Sequence, residues 1–326
     1  MFTGSRLRAG LASLFFGIVA VLPVAAAAQE WPSRPVRMVV HFPAGGISDV
    51  GARSLGDGLA EIFGQPFVID NRPGAGGRIG TEIAVRSRPD GYTLLFATNG
   101  PLSFAPVTHP SLSYDPVKDL VPVIHVASYS LQVVVNNNVP IHSIEELVAY
   151  AKKNPGKLNY ATPGQGSGIH FAVEMFKSMA GIDMTHVPYR GSAQLMTDLI
   201  AGNVDITFDG AARPHIDSGR LRLIATTDLK RDPRFPDTPT VDESGVKGYK
   251  FVASQLLLAP AGTPPEVIAK LNAAANKVLQ TEKARARLAE IGLTATGGAG
   301  DEITRLIVEG IKQNRKIAAG ANLVFE

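Results

Sequence analysis

Two short stretches hold the residues best placed to do chemistry, Phe42–Asp49 (FPAGGISD) and Thr162–His170 (TPGQGSGIH). In each, an apolar run leads through glycines straight into the start of a helix. That arrangement bares backbone N–H groups at a helix N-terminus, where the positive end of the helix dipole adds to them, and the result suits an anion. Hydrolysis is a rival chemistry, with Ser167 as nucleophile and His170 as base. However, the glycines around Ser167 are out of register for a nucleophile elbow, and no orienting acid is placed by the motif. The chain also lacks an H-E-x-x-H pair, a phosphate loop with its lysine, and any cysteine nucleophile.

Binding is the better supported chemistry. Phe42, Pro43, Ala44, Gly45 and Gly46 form one neutral donor loop, followed by Ser48 and Asp49. Gly164, Gln165, Gly166 and Ser167, followed by His170, form another. Thr98, Asn99, Tyr189 and Gln255 add side-chain donors and acceptors, and Gly191 closes the segment HVPYRG. Arg190 can grip a carboxylate with two N–H groups or simply face outward in a turn. Asp49 reads most simply as a helix cap. Asp209, at a strand tip, either accepts from a ligand hydroxyl or amine or caps the turn at Gly210. These groups suit a small carboxylate held without a metal or cofactor, and no catalytic set emerges.

Arg6 and Arg8 precede the apolar run Leu11–Val24 and the small residues Ala25–Ala28, the pattern of a secretory signal peptide over residues 1–28. Its removal takes away two arginines and no carboxylate, which leaves the mature chain close to neutral and argues against a nucleic-acid partner. With 0 cysteines there is no disulfide framework and no lipid-bearing cysteine, so the expected location is a bacterial periplasm. A chain of 326 residues exceeds what one core usually holds.

The positioning elements follow from the hydrophobic pattern. Strands are expected at Val36–Val40, Phe67–Ile69 and Tyr92–Ala97, with a helix over Asp49–Phe63 and another over Thr81–Arg88. The glycine-dense Asn71–Gly80 lacks G-x-G-x-x-G spacing and reads as a structural turn. Residues 103–119 read as an irregular connection, and strands Val121–Val126 and Leu131–Val135 flank a break at Ser128–Ser130, taken as the first crossing between lobes. A second set of strands and helices follows: helix Ile144–Lys153, strand Leu158–Ala161, strand Val204–Phe208 and strand Leu221–Thr226. Lys250–Ala259 is the return crossing, followed by a short helix-rich tail. Alternating strands and helices predict an α/β chain of two lobes, each a mostly parallel sheet flanked by helices, joined by a hinge of two crossing strands. Lobe 1 is expected over 29–127 plus 251–326 and lobe 2 over 128–250, with ligand at the C-terminal ends of the strands.

Several segments in order then resemble the tripartite tricarboxylate transporter substrate-binding proteins, including the Bordetella Bug receptors: WPSRPVRMVVHFPAGGISD, NRPGAGGRIGTE, SYDPVKDLVPV, NPGKLNYATPGQGSGIHFA, GIDMTHVPYRGSAQLMTDLIAGNVDITFD and LAPAGTPPEV. The resemblance implies a periplasmic-binding-protein fold of type II-like topology that holds a small organic acid between its lobes, partly through ordered water. It also implies a monomer that delivers a dicarboxylate, tricarboxylate, amino acid or aromatic acid to membrane permease subunits, or signals its capture to a membrane sensor protein. By the same resemblance the first loop, Phe42–Gly46 with Ser48 and Asp49, grips the carboxylate. Gly164–Ser167 with His170, Tyr189–Gly191 and Asp209 face it from the second lobe. At Asn99-Gly100-Pro101 the sequence departs from the Thr/Ser-rich pattern of the family, which bears on the far end of the ligand.

Overall fold

Val36–Val40 (β1) is buried on both faces, with Val36, Met38, Val39 and Val40 fully enclosed. It pairs in parallel with Phe67–Asn71 (β2) on one side and Thr93–Thr98 (β3) on the other. In this computed structural model, which describes Met1 and residues 30–321, the two crossovers are Ile47–Phe63 (α1) and Arg78–Val85 (α2). Gly64 ends α1 in the left-handed conformation, its N–H on the Ala60 carbonyl, as the Gly-then-Pro punctuation predicts. The leader expected over 1–28 lies outside the described residues. No helix among the described residues is long and apolar enough to cross a membrane.

The irregular connection expected beyond Ser103 is in fact partly helical. A wide turn over Gly100–Phe104 continues into Ala105–Thr108 (α3), pinned by Tyr114 Oη on the Pro101 carbonyl and Asn314 Nδ2 on the Ser103 carbonyl. Those partners lie far away in sequence, so local propensity does not reveal the helix. Leu120–Ser130 (β4) then runs as one continuous strand, and Gln132–Asn136 (β5) begins a second sheet one residue later. The change of sheet therefore falls at Leu131 rather than at Ser128–Ser130, because Ser128 and Ser130 are paired across to Ser254 and Val252.

The second sheet is built from β5, Asn159–Thr162 (β6), Thr185–Pro188 (β7), Ile206–Phe208 (β8) and Leu221–Thr226 (β9), in the order β7-β6-β8-β5-β9. Its helices are Ile144–Lys153 (α4), Gly168–Ala180 (α5), Ser192–Ala201 (α6) and Arg213–Asp217 (α7). Ser143 caps α4 as its sequence predicts, accepting the Glu146 N–H at 3.2 Å. Beyond β9, residues 241–245 form only a turn. Thr240 and Glu243 cap each other, but Gly245 stops the chain before a second turn forms.

Val252–Pro260 (β10) returns to the first sheet, and Pro265–Gln280 (α8), Glu282–Glu290 (α9), Thr294–Ala295 (β11) and Gly300–Ala321 (α10) complete it. The strand order is β11-β4-β10-β3-β1-β2, with β10 antiparallel to both neighbours. Both sheets are mixed, not mostly parallel as expected. The reason is topological: a strand that comes back from the other lobe enters its sheet from the opposite end. The two-lobed α/β architecture is otherwise as predicted. One apolar core lies between β3, β10 and α10 (Leu95, Leu256, Leu258, Ile303, Ile307), and another beside α6 (Val134, Leu195, Leu199, Leu221).

Both crossings are fastened by Thr227, which is fully buried. Its Oγ1 accepts the Leu131 N–H at 2.8 Å and donates to the Phe251 carbonyl at 2.7 Å. Its backbone N–H and carbonyl bond the same two residues, at 3.1 Å to Leu131 and 2.7 Å to Phe251.

The glycine-dense Asn71–Gly80 turn gains a purpose here. Gly76 has φ +63°, and a Cβ there would lie 2.6 Å from the Gln165 carbonyl oxygen of the second lobe. Gly76→Ala combines a left-handed backbone with a main-chain clash. The expected loss in urea unfolding is about 1–3 kcal/mol, whereas an unchanged midpoint would show that the two loops separate freely.

Candidate functional site

Between the lobes lies a cavity of about 270 Å³, walled mostly by carbon atoms. Three helices point their N-termini at it. Ile47 and Ser48 open α1, Gly168 and Ile169 open α5, and Ser192, Ala193 and Gln194 open α6. In α1 the first backbone bond runs from Val50 N–H to Gly46, so the N–H groups of Ile47, Ser48 and Asp49 lie ahead of it with no carbonyl to meet. Neither Gly46 nor Gly191, the N-cap residues of α1 and α6, supplies a side-chain cap. Ser167 caps α5 by accepting the His170 N–H at 3.2 Å, which leaves Gly168 and Ile169 ahead of the cap. The Ser48 hydroxyl oxygen is buried at the wall and has no hydrogen-bond partner.

Of the residues singled out by sequence, Phe42, Pro43, Ala44, Gly46, Ser48, Thr98, Asn99, Ser167, Arg190, Gly191 and Asp209 line the cavity together. Asp49, Gly164, Gly166, His170, Tyr189 and Gln255 stand outside the lining, partly or fully buried, and Gly45 and Gln165 are exposed to solvent beyond it. Asp49 is 3% exposed and gathers the Gly45 N–H, Asn71 Nδ2 and the Arg53 guanidinium, each at 3.0 Å. Asn71 also donates to the Phe42 carbonyl at 3.0 Å, so the entire first loop is tied to one carboxylate. Burial alone raises that carboxyl's pKa, but the hydrogen bonds from Arg53, Gly45 and Asn71 outweigh it and hold the group below its ordinary value.

Gln255, on β10, donates from Nε2 to the Ile47 carbonyl at 3.2 Å and so fixes the first turn of α1 from the crossing strand. Gly51 makes room for it, since a Cβ there would lie 2.2 Å from Gln255 Oε1. Tyr189 donates to Asp198 at 2.7 Å. Gly164 and Gly166 shape the turn ahead of Ser167, and the Gly166 N–H donates to His170 Nδ1 at 3.1 Å. The His170 ring lies stacked on His186 with centroids 3.9 Å apart. Ser167 Oγ therefore meets the backbone of His170 rather than its ring, an arrangement unlike a nucleophile and its base.

Sequence reasoning missed Ser192, Ala193 and Gln194, although Gly191-Ser192 is the same glycine-then-helix signal seen in the other two loops. Tyr129, Phe251 and Ala253, from the crossing strands and their junction, also line the cavity. Their sequence shows only ordinary buried strand. His41 was likewise passed over. It is fully buried, and its Nε2 accepts the Thr98 N–H at 3.1 Å, which aligns the ends of β1 and β3.

Asp209 is 1% exposed and accepts from Ser192 Oγ at 2.6 Å and from the Ala211 N–H at 2.9 Å. Burial raises its pKa, opposed by those two hydrogen bonds. Arg190 is exposed at the mouth. Across that mouth the lobes touch, because a Cβ on Gly191 would lie 2.9 Å from the Pro43 ring.

The model of the family described as "Tripartite tricarboxylate transporter family receptor" matches residues 51–323. Protein BugT of Bordetella pertussis is 38% identical over 88% of this chain and 89% of its own length. Among solved structures, "R. palustris Rpa4515 with adipate" superposes with a TM-score of 0.87 at 35% identity, covering 90% of this chain and 99% of the other. MatC from Rhodopseudomonas palustris with bound malate gives a TM-score of 0.84 at 31% identity, covering 88% and 99%.

Two predictions follow from this geometry. Asp49→Ala leaves the Gly45 N–H without its acceptor and Asn71 with the Phe42 carbonyl alone, and should cost about 1–3 kcal/mol in denaturant unfolding. A loss near zero would mean that the loop does not depend on this carboxylate. The second prediction concerns pH. Burial holds His41 and His170 near pKa 3 and His109 and His186 near 4, whereas an unfolded histidine titrates near 6.5. Between those values the unfolded chain binds more protons, so stability falls as pH drops from about 6.5 toward 4, with about 1.4 kcal/mol per pH unit the upper limit for any one histidine. Asp209, with its raised pKa, works in the opposite direction as a single group against these histidines. Urea midpoints at pH 7 and pH 4.5 check the sign, and a higher midpoint at pH 4.5 would contradict it.

Proposed function

From the premise that the chain belongs to the tripartite tricarboxylate transporter receptor family, we propose that it captures a small organic carboxylate in the interlobe cavity and delivers it to the membrane permease of such a transporter. The observation that carries this reading is Ser48. Its buried hydroxyl has no partner, and it stands on the uncapped first turn of α1. A ligand carboxylate satisfies that hydroxyl and the N–H groups beside it at once, without a buried cation. The N-terminal parts of α5 and α6 face the same space from the other lobe, so the acid joins the two lobes by bonding to both.

In this reading the ligand-contacting set is Phe42 to Ala44, Gly46, Ser48, Thr98, Asn99, Ser167, Arg190 to Gln194, and Asp209. Asp49, His170, Tyr189 and Gln255 act as supports for that set. The lobes divide where the chain changes sheet, at Leu131 on the way out and at Phe251 on the way back. Residues 1–28 serve as a cleaved export signal, and the receptor works in the periplasm. The acids named with the two structural relatives, adipate and malate, make a small dicarboxylate the first ligand to test.

The decisive experiment uses protein freed of co-purified ligand by unfolding and refolding. Binding to the native state alone raises stability by about 2.7 kcal/mol at a ligand concentration of 100 times Kd, so the melting midpoint should climb with added dicarboxylate and stay still with neutral sugars. Ser48→Ala should weaken binding of the same acid about five- to tenfold while leaving the ligand-free midpoint within a degree or two. Sugars that shift the midpoint where carboxylates do not would overturn the proposal.

A further inference from the structure

The walls of the cavity bear on what lies between the acid groups of its ligand. We infer that the bound acid has an unsubstituted hydrocarbon body, a methylene chain or an aromatic ring, rather than one bearing hydroxyl or amino groups. This rests on the reading of the cavity as a carboxylate site.

Four of the polar side chains in the wall are already engaged. Ser167 Oγ is held by the His170 N–H, Ser192 Oγ is turned onto Asp209, and Asn99 Oδ1 accepts the Ser254 N–H at 2.6 Å. Both oxygens of Asp209 have partners. Arg190 and Gln194 are exposed at the mouth, where a second acid group can meet them in water. Most of the remaining wall is carbon, from Phe42, Pro43, Ile47, Ile169, Phe251 and the ring of Tyr129. Phe251 is buttressed from behind by Phe104, with ring centroids 5.6 Å apart, and Phe104 in turn stacks on Phe171 at 4.3 Å.

A hydroxyl or ammonium group set against that carbon gives up its water without a hydrogen-bond partner in return, whereas methylene or ring carbon gains contact. Size agrees with this. A hydrocarbon-lined cavity of about 150 Å³ holds a benzene ring, and the space here of about 270 Å³ leaves room for a carboxylate beside a ring or for a short diacid chain.

The test is a matched series on refolded, ligand-free protein, measured by calorimetry: succinate, malate and aspartate, which differ only in the substituent on C2, together with adipate and benzoate. The expected result is binding of one or more of succinate, adipate and benzoate, with malate and aspartate at least tenfold weaker than the best of them. Ile169→Thr, which introduces a hydroxyl into the wall and removes one terminal carbon, should narrow that gap. Ala253→Ser serves the same purpose if the first variant does not fold. Malate or aspartate binding as tightly as the best unsubstituted acid overturns the inference but leaves the carboxylate site standing. No binding by any of the five acids overturns both.

Discussion

A helix that begins at a cavity has N–H groups with nowhere to go, and this chain brings three such beginnings to one place. Leaving those donors dry is costly, so the cavity is complete only with water or an anion inside it. Much else in the molecule serves to keep the three first turns in position. Asp49 ties down the loop before α1, Gln255 holds the Ile47 carbonyl from the crossing strand, and the Ser167 and Gly164–Gly166 turn sets the angle of α5. The donors are mainly backbone groups, so the site gathers positive potential without a buried lysine or arginine and without the desolvation penalty that such a charge carries.

The supports behind the wall explain why a list of polar residues from the sequence divides in two. Asp49, His170, Tyr189 and Gln255 are the right chemical types near the right loops, and each turns its polar atoms toward the protein instead of the space. Their role is to fix the geometry of backbone groups one or two residues away. A carboxylate such as Asp49, drawn down by Arg53 and two further donors, is a brace whose loss would be felt through the Phe42–Gly46 loop.

How much of this was legible in sequence depended on whether the cause was local. Strand–glycine–helix signals located two of the three helix starts, because N-cap chemistry and glycine conformations are written in a few adjacent residues. The third, at Gly191-Ser192, carries the same signal, a glycine directly ahead of the first helical residue. Tyr129, Phe251 and Ala253 reach the cavity through long-range strand pairing, and no local pattern marks them. The helical turn at Gly100–Thr108 likewise depends on Tyr114 and Asn314. The direction of the crossing strands, which makes both sheets mixed, follows from topology and not from alternation or propensity.

The position of β10 also dictates the order in which the molecule can be assembled. Every strand of the second sheet comes from the continuous segment 132–226, so that lobe can close on itself as soon as its segment is available. The first sheet has an empty slot in its middle until Val252–Pro260 arrives to join β3 to β4. Until then both of those strands present open edges, and the site between the lobes cannot exist. The N-terminal third of the chain must wait for its C-terminal part, and a chain emerging in order stays open until the last quarter is free.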